Sequence, residues 1–192
     1  MKTFHGFAFA IIASSSFMLG CSSSHMTAVA EQDEILVPES DKALIHFLRP
    51  SSFGGAIQAT LYDGVDYIGT ISANTRVSYE AAPGEHMFMV IGESADFLQA
   101  ELLEGKVYFA TVEPRPGFWK ARFSLRPMNG QVAQEKIDKW MDGTKQVIVD
   151  EDGIAWAEQH QEDILKKREK YLPTWHDKPD SGKQILHADS GQ

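Results

Sequence analysis

Across 192 residues the chain has a single cysteine, Cys21, so it can form no internal disulfide and assemble no cysteine-rich zinc site. It is poor in positive charge: 18 Lys and Arg stand against 27 Asp and Glu, a formal net charge of −9. That balance excludes the clustered basic surface expected of a nucleic-acid binder and gives no general attraction to anionic lipid. No apolar run reaches the about 20 residues of a membrane-spanning helix, because Ser14, Ser15 and Ser16 interrupt the most apolar stretch. A Gly-x-Ser-x-Gly nucleophile elbow, a phosphate loop and a dinucleotide fingerprint are also missing. Beyond residue 20 the histidines are His25, His46, His86, His160, His176 and His187, and no two have the spacing that puts paired imidazoles on one metal. The acids Asp150, Glu151 and Asp152 lack the alternating ligands and downstream Glu of a calcium loop, so they read as a helix start. The expectation is therefore a protein without a metal, a diffusible cofactor or a catalytic site.

The N-terminal segment has the order of a secretory signal: Lys2, an apolar stretch over residues 7–12 and 17–19, then Gly20 and Cys21. Met18, Leu19, Gly20 and Cys21 resemble the lipobox of bacterial lipoproteins. That resemblance implies cleavage after residue 20, diacylglycerol and a further acyl chain such as palmitate on Cys21, and a membrane as the first partner. Two or three acyl chains anchor stably where one does so only marginally. Ser22, in place of Asp, resembles the signal that sends such proteins to the outer membrane of a Gram-negative cell. Residues 1–20 carry Lys2 and no acid, so the mature charge becomes −9 − 1 = −10.

Residues 21–40 are small, polar and acidic without periodicity, which predicts a flexible tether of roughly 25 Å typical reach. Over residues 41–127 apolar residues alternate with period two, and turns recur every 8 to 12 positions, the pattern of an antiparallel β-sandwich of about eight strands. Ile57, Ala59 and Leu61 share one face, as do Leu98, Ala100 and Leu102, and as do Trp119, Ala121, Phe123 and Leu125. Residues 43–48, 86–91 and 107–112 are apolar on both faces, which predicts central strands or strands covered by a helix. Residues 128–173 read as a helical extension: a short helix over 132–141 ended by Gly143, a strand over 146–149, and a long helix over 153–172 stopped by Pro173. Ile154, Ala157, Ile164, Leu165 and Leu172 form the candidate buried stripe of that helix. Residues 174–192 are polar and read as a disordered tail.

Ile45, Phe47, Arg49, Pro50, Ser51 and Phe53 before Gly54 and Gly55, then Tyr62, Asp63, Gly64, Tyr67, Ile68 and Gly69, then Pro83, Gly84, Glu85 and His86, form a series. It resembles bacterial lipoproteins of unknown function whose body is a PEGA-like β-domain. The likeness covers roughly residues 43–126 and is carried by turn chemistry, so it implies a small envelope-facing β-domain and no reaction. Here Val65 and Asp66 follow the Asp-Gly turn in place of the usual short connection.

Two surfaces are candidates for binding. Residues 114–119 form a loop that holds Arg115, Phe118 and Trp119, and adjacent aromatics there can stack on sugar rings or anchor a protein. Against this, strand alternation puts Trp119 in the core and leaves Phe118 as a plug. The second surface is the outward row Lys120, Arg122 and Arg126, which suits an acidic partner or an anionic polymer, or serves solubility alone. His86, just after the Pro-Gly turn, is placed to tie down turn backbone, and His46 reads as a satisfied histidine in an apolar run. The reading that follows is a non-catalytic binding or assembly module on the membrane, partnered by an envelope protein or glycan polymer. An envelope hydrolase with carboxylates from separate strands, and a passive structural component, are the alternatives.

Overall fold

A computed structural model of the chain describes residues 23–130 and 132–192. Cys21 and the expected signal sequence lie outside the described residues. The strands are β1 (Met26–Ala28), β2 (Ala43–Arg49), β3 (Ala59–Asp63), β4 (Asp66–Ile71), β5 (Thr75–Ala81), β6 (Gly84–Ile91), β7 (Ala95–Leu102), β8 (Val107–Arg115), β9 (Arg122–Pro127), β10 (Lys145–Val149) and β11 (Ile185–Leu186). The helices are α1 (Gln134–Asp142), α2 (Glu151–Gln159) and α3 (Gln161–His176).

The alternating faces of these strands close on one another as a sandwich. One sheet has the order β1-β10-β5-β2-β8-β9 and the other β11-β7-β6-β3-β4. Phe47 of β2, Leu61 of β3, Phe88 of β6, Leu98 of β7, Ala110 of β8 and Leu125 of β9 meet in the central core, with Phe47 and Phe88 edge to face at 5.1 Å. The strands apolar on both faces are covered as expected. On the outside of the first sheet α1 lays Ile137 over Leu48 and Phe109; on the outside of the second, α3 lays Ile164 and Trp175 over Tyr62, Met89 and Phe97.

The mainly β sandwich with helices from the C-terminal half agrees with the sequence reading, and four features depart from it. First, the described residues hold eleven strands and the sheets are mixed: β2 runs parallel to β8, β10 to β5 and β11 to β7. Alternation reports which face is buried and is blind to the direction of the neighbour. Second, the expected tether is docked from Ser23 onward. β1 pairs with β10, Met26 enters the core, and the Glu34 carboxylate pairs with the buried Arg76 guanidinium, which also donates to the Thr144 carbonyl. Third, the expected disordered tail is structured: β11 pairs with β7, Leu186 is buried, and Gln192 exchanges backbone hydrogen bonds with Val107. Fourth, the long helix is two helices meeting at His160, and Pro173 lies inside α3. Of its expected stripe Ile164 is buried, whereas Ile154 and Leu165 are exposed.

Two polar groups set turns on which the sandwich rests. Arg49 ends β2 with its side chain fully buried; Nη1 donates to the Ile57 carbonyl at 2.6 Å, and Nη2 to the carbonyls of Phe53 at 3.0 Å and Gly54 at 2.9 Å. Burial lowers its pKa, yet a guanidinium stays charged, and it lies 5.4 Å from the Phe123 ring centre. His86 has Nδ1 2.7 Å from the Asp63 carboxylate and Nε2 2.7 Å from the Ala82 carbonyl. An acceptor at each nitrogen favours the imidazolium form, and the Asp63 hydrogen bond is the main cause of its raised pKa.

Arg49→Lys removes the fork that reaches three carbonyls at once, and is expected to cost about 3 kcal/mol, read as a lower urea midpoint at unchanged m-value. The His86 contribution is complete below the ordinary value of 6.5 and is lost as pH rises through the raised folded value. The gap in urea stability between wild type and His86→Phe should therefore close as pH rises above 6.5; below 6.5 the buried neutral His46, whose pKa burial lowers to about 3, adds the opposite slope to both proteins.

Candidate functional site

A groove of about 700 Å³ opens where the outer face of the second sheet runs out from under α2 and α3. Its floor is Thr60, Tyr62 and Thr70, one wall is Trp156, His160, Ile164 and Lys167, and the facing rim is Ser24, Ile57, Gln58, Trp119 and Lys120. The lining is mostly apolar with a few convergent polar groups, the usual constitution of a small-ligand site.

The helical wall is organised around Trp156. Its indole stacks with two imidazoles, His25 at 5.4 Å and His160 at 4.4 Å, with interplanar angles of 20° and 21°. His160 and Trp156 are four residues apart and so share a helix face, and His160 Nδ1 lies 2.7 Å from the Trp156 carbonyl. His25 reaches the stack because the N-terminal segment crosses directly over the first turn of α2. A side chain at Gly153 would come within 2.6 Å of the His25 carbonyl, so only glycine permits that crossing. The helix is fixed there by Asp150, whose carboxylate accepts the Gly153 N–H at 2.8 Å.

The opposite rim is held by Glu93, in the turn between β6 and β7. Its carboxylate accepts the backbone N–H groups of Phe118 at 3.0 Å, Trp119 at 2.5 Å and Lys120 at 2.7 Å, and pairs with Arg122 at 2.9 Å. These donors, the three backbone amides above all, pull its pKa from 4.5 to about 2. The loop is folded so tightly that a Cβ on Gly117 would overlap the Lys120 carbonyl at 1.7 Å. Lys167 ties the same turn to α3, donating to the carbonyls of Gly92 at 2.7 Å and Glu93 at 2.9 Å. Burial, then the neighbouring Lys120 and Lys170 amines, lower its pKa. Lys120 and Lys167 thus stand together at one end of the groove, with the Glu93 carboxylate on the Lys120 backbone N–H, the Glu93 carbonyl on Lys167 Nζ and Asp163 on the same wall.

Strand alternation misplaces Trp119. β9 begins at Arg122, and the Glu93-capped loop releases residues 118–120 from the pleat, leaving Phe118 78% and Trp119 86% exposed with their rings edge to face at 4.9 Å. The basic row is likewise broken up. Lys120 is in the loop at the groove, Arg122 is spent on Glu93, and Arg126 pairs with Glu113 at 3.3 Å on the open surface, where such a pair is worth little. Arg115 stands opposite Arg122 at the end of the β8–β9 ladder and is exposed. The structure thus brings Trp119 and Lys120 into one site and leaves Arg115 and Arg126 outside its lining. Sequence reasoning missed His25, Trp156, His160 and Lys167; only the i, i+4 relation of Trp156 to His160 was visible in the chain.

Among the described residues no group of three or more His, Cys, Asp or Glu is placed to hold a metal, and no helix is long and apolar enough to cross a membrane. No protein-family model, curated protein or solved structure matches the chain.

Replacing Glu93 by Ala strips three amides of their shared acceptor, and their hydrogen exchange is expected to quicken at least tenfold while the sandwich core keeps its protection. Because the Glu93 pKa is depressed, its hold on the loop is complete above 4.5 and is lost as pH falls toward about 2. Acidifying the wild type through that window should reproduce the Ala variant's exchange at residues 118–120.

Proposed function

We propose that the chain is a lipid-anchored protein of the bacterial envelope whose β-sandwich works as a binding module, attached through Cys21 to the outer membrane, with the groove beside α2 and α3 as its ligand site. The lipobox-like residues 18–21 and Ser22 support the attachment and its location, and the turn motifs support a PEGA-like body. The observation that carries the binding reading is the groove's pairing of two tryptophans, Trp119 and Trp156, with two amines, Lys120 and Lys167. The open face of Trp119 can take the flat apolar face of a sugar ring against the ring edges of the Trp156 stack, and Lys120, with the proton Lys167 does not donate to the Gly92 and Glu93 carbonyls, can take carboxylate or phosphate, so an acidic envelope glycan suits the walls.

A hydrolytic reading is less well served by the same geometry. Glycoside hydrolysis generally uses two carboxylates flanking one bond at roughly 5 to 9.5 Å separation. Asp163 is the one carboxylate among the described residues lining the groove, and it lies at the helix surface within 3.7 Å of Lys166.

Labelled palmitate should enter the wild-type protein and not Cys21→Ala, which loses the processing site and should keep residues 1–20. With residues 22–192 made without the signal segment, titration with acidic glycan fragments should quench tryptophan fluorescence. Trp156→Ala and Lys167→Ala should each weaken that binding at least tenfold, about 1.4 kcal/mol. Unchanged affinity in both variants would remove the groove as the ligand site.

A further inference from the structure

The fold begins almost at the attachment point. Ser23 is 2% exposed, its hydroxyl donates to Ser72 Oγ at 2.8 Å, and the Ser24 N–H donates to Gln58 Oε1 at 3.2 Å. Cys21 precedes Ser23 by two residues, which span at most about 7 Å of extended chain. A lipid on Cys21 therefore brings the surface around Ser23 and Ser24 against the headgroups, and the 25 Å of slack expected from composition does not exist from Ser23 onward.

That surface is not an ordinary one. Phe53, Phe118 and Trp119 are the three exposed Phe, Tyr or Trp residues among the described residues, at 68%, 78% and 86%. All three belong to the segments that border the same groove mouth as Ser24. Trp119 lines it directly, Phe118 is its neighbour, and Phe53 is in the Arg49-bound loop that continues into Ile57 and Gln58. Lys120 and Lys167 flank the mouth. Aromatic rings concentrate at the boundary between headgroups and acyl chains, and a basic residue near an anionic surface adds attraction. The mature charge, −9 − 1 = −10, gives no such attraction, so this local patch has to provide it.

We propose that the rim formed by Phe53, Phe118 and Trp119, with Lys120 and Lys167 beside it, seats on the lipid bilayer that carries the anchor, its rings in the headgroup boundary. The proposal rests on lipidation of Cys21. The seat fixes the orientation of the sandwich and presents the groove mouth at the membrane surface. The remaining groove walls, Trp156 and His160, stay on the protein side.

The test uses the mature acylated chain purified from membranes and reconstituted into vesicles of phosphatidylethanolamine and phosphatidylglycerol, some brominated near the headgroup and some deep in the acyl region. Shallow bromine should quench wild-type tryptophan fluorescence at least twofold more strongly than that of Trp119→Phe. Deep bromine should quench both weakly. A Phe118→Ser, Trp119→Ser double variant should remain vesicle-bound through its anchor while losing the shallow quenching. Equal quenching of wild type and Trp119→Phe overturns the seat, as does a photo-crosslinker at position 118 that attaches to a protein or a second copy in place of lipid. Mass measurement of the purified chain separates the two levels: an unmodified Cys21 removes the anchor and the seat together, whereas an acylated chain without quenching removes the seat alone.

Discussion

A guanidinium buried without a carboxylate organises the end of the sandwich that carries the groove. Arg49 has left water completely, and its charge is matched by the three carbonyls of one loop and by the face of Phe123. Its Nε is already buried without a partner, so each carbonyl that drifts away adds a further desolvated, unpaired donor. The loop over residues 50–58 is thereby wrapped around its own arginine. Its far end supplies Ile57 and Gln58 to the groove, and Gln58 receives the backbone of Ser24. The Arg49 loop thus helps to place Ser24, while β1–β10 pairing, Met26 in the core and the Asp150 N–H donated to the His25 carbonyl hold the rest of the segment.

Glu93 plays the complementary part on the other rim. A single carboxylate gathers three amides and a guanidinium, and so converts a glycine-containing loop into a rigid shelf for two exposed aromatics. Exposed aromatic rings on a mobile loop would lose ordering entropy on meeting a surface; on a shelf most of that cost is already met in folding. Lys167 extends the arrangement to α3 by holding the same turn from its carbonyl side. Two rims and a helical wall are thus joined through a few charged side chains, each bound to backbone.

The composition of the groove and its proximity to residue 21 belong to one picture. Under the proposed lipidation of Cys21, a module tethered two residues before Ser23 has little freedom to search the space around it, and the proposed binding surface meets only what lies at or in the membrane surface. Stacked imidazoles and indoles with two amines at one end suit ligands that are flat, partly apolar and acidic.

The mainly β class, the strands covered on both faces, the helix α1 with its Gly143 end and the structural use of His86 were all legible in the chain. Each is written in local periodicity, turn chemistry or a short motif. Strand direction was not legible, because alternation is the same in parallel and antiparallel ladders. Nor was the order of the segment after Ser23 and of the tail after Lys178. These stretches are polar almost throughout and are held by isolated anchors, Met26 in the core and Leu186 beneath β7, that make no periodic pattern. Trp119 fell on the wrong side because continuing the β9 alternation back to residue 119 assumes a pleat. A carboxylate 26 residues earlier in the chain abolishes that pleat. The sequence by itself determined which residues could be buried; where His25, Trp119, Trp156 and Lys167 meet was decided by long-range hydrogen bonds to backbone, which leave no mark on the pattern of hydrophobicity.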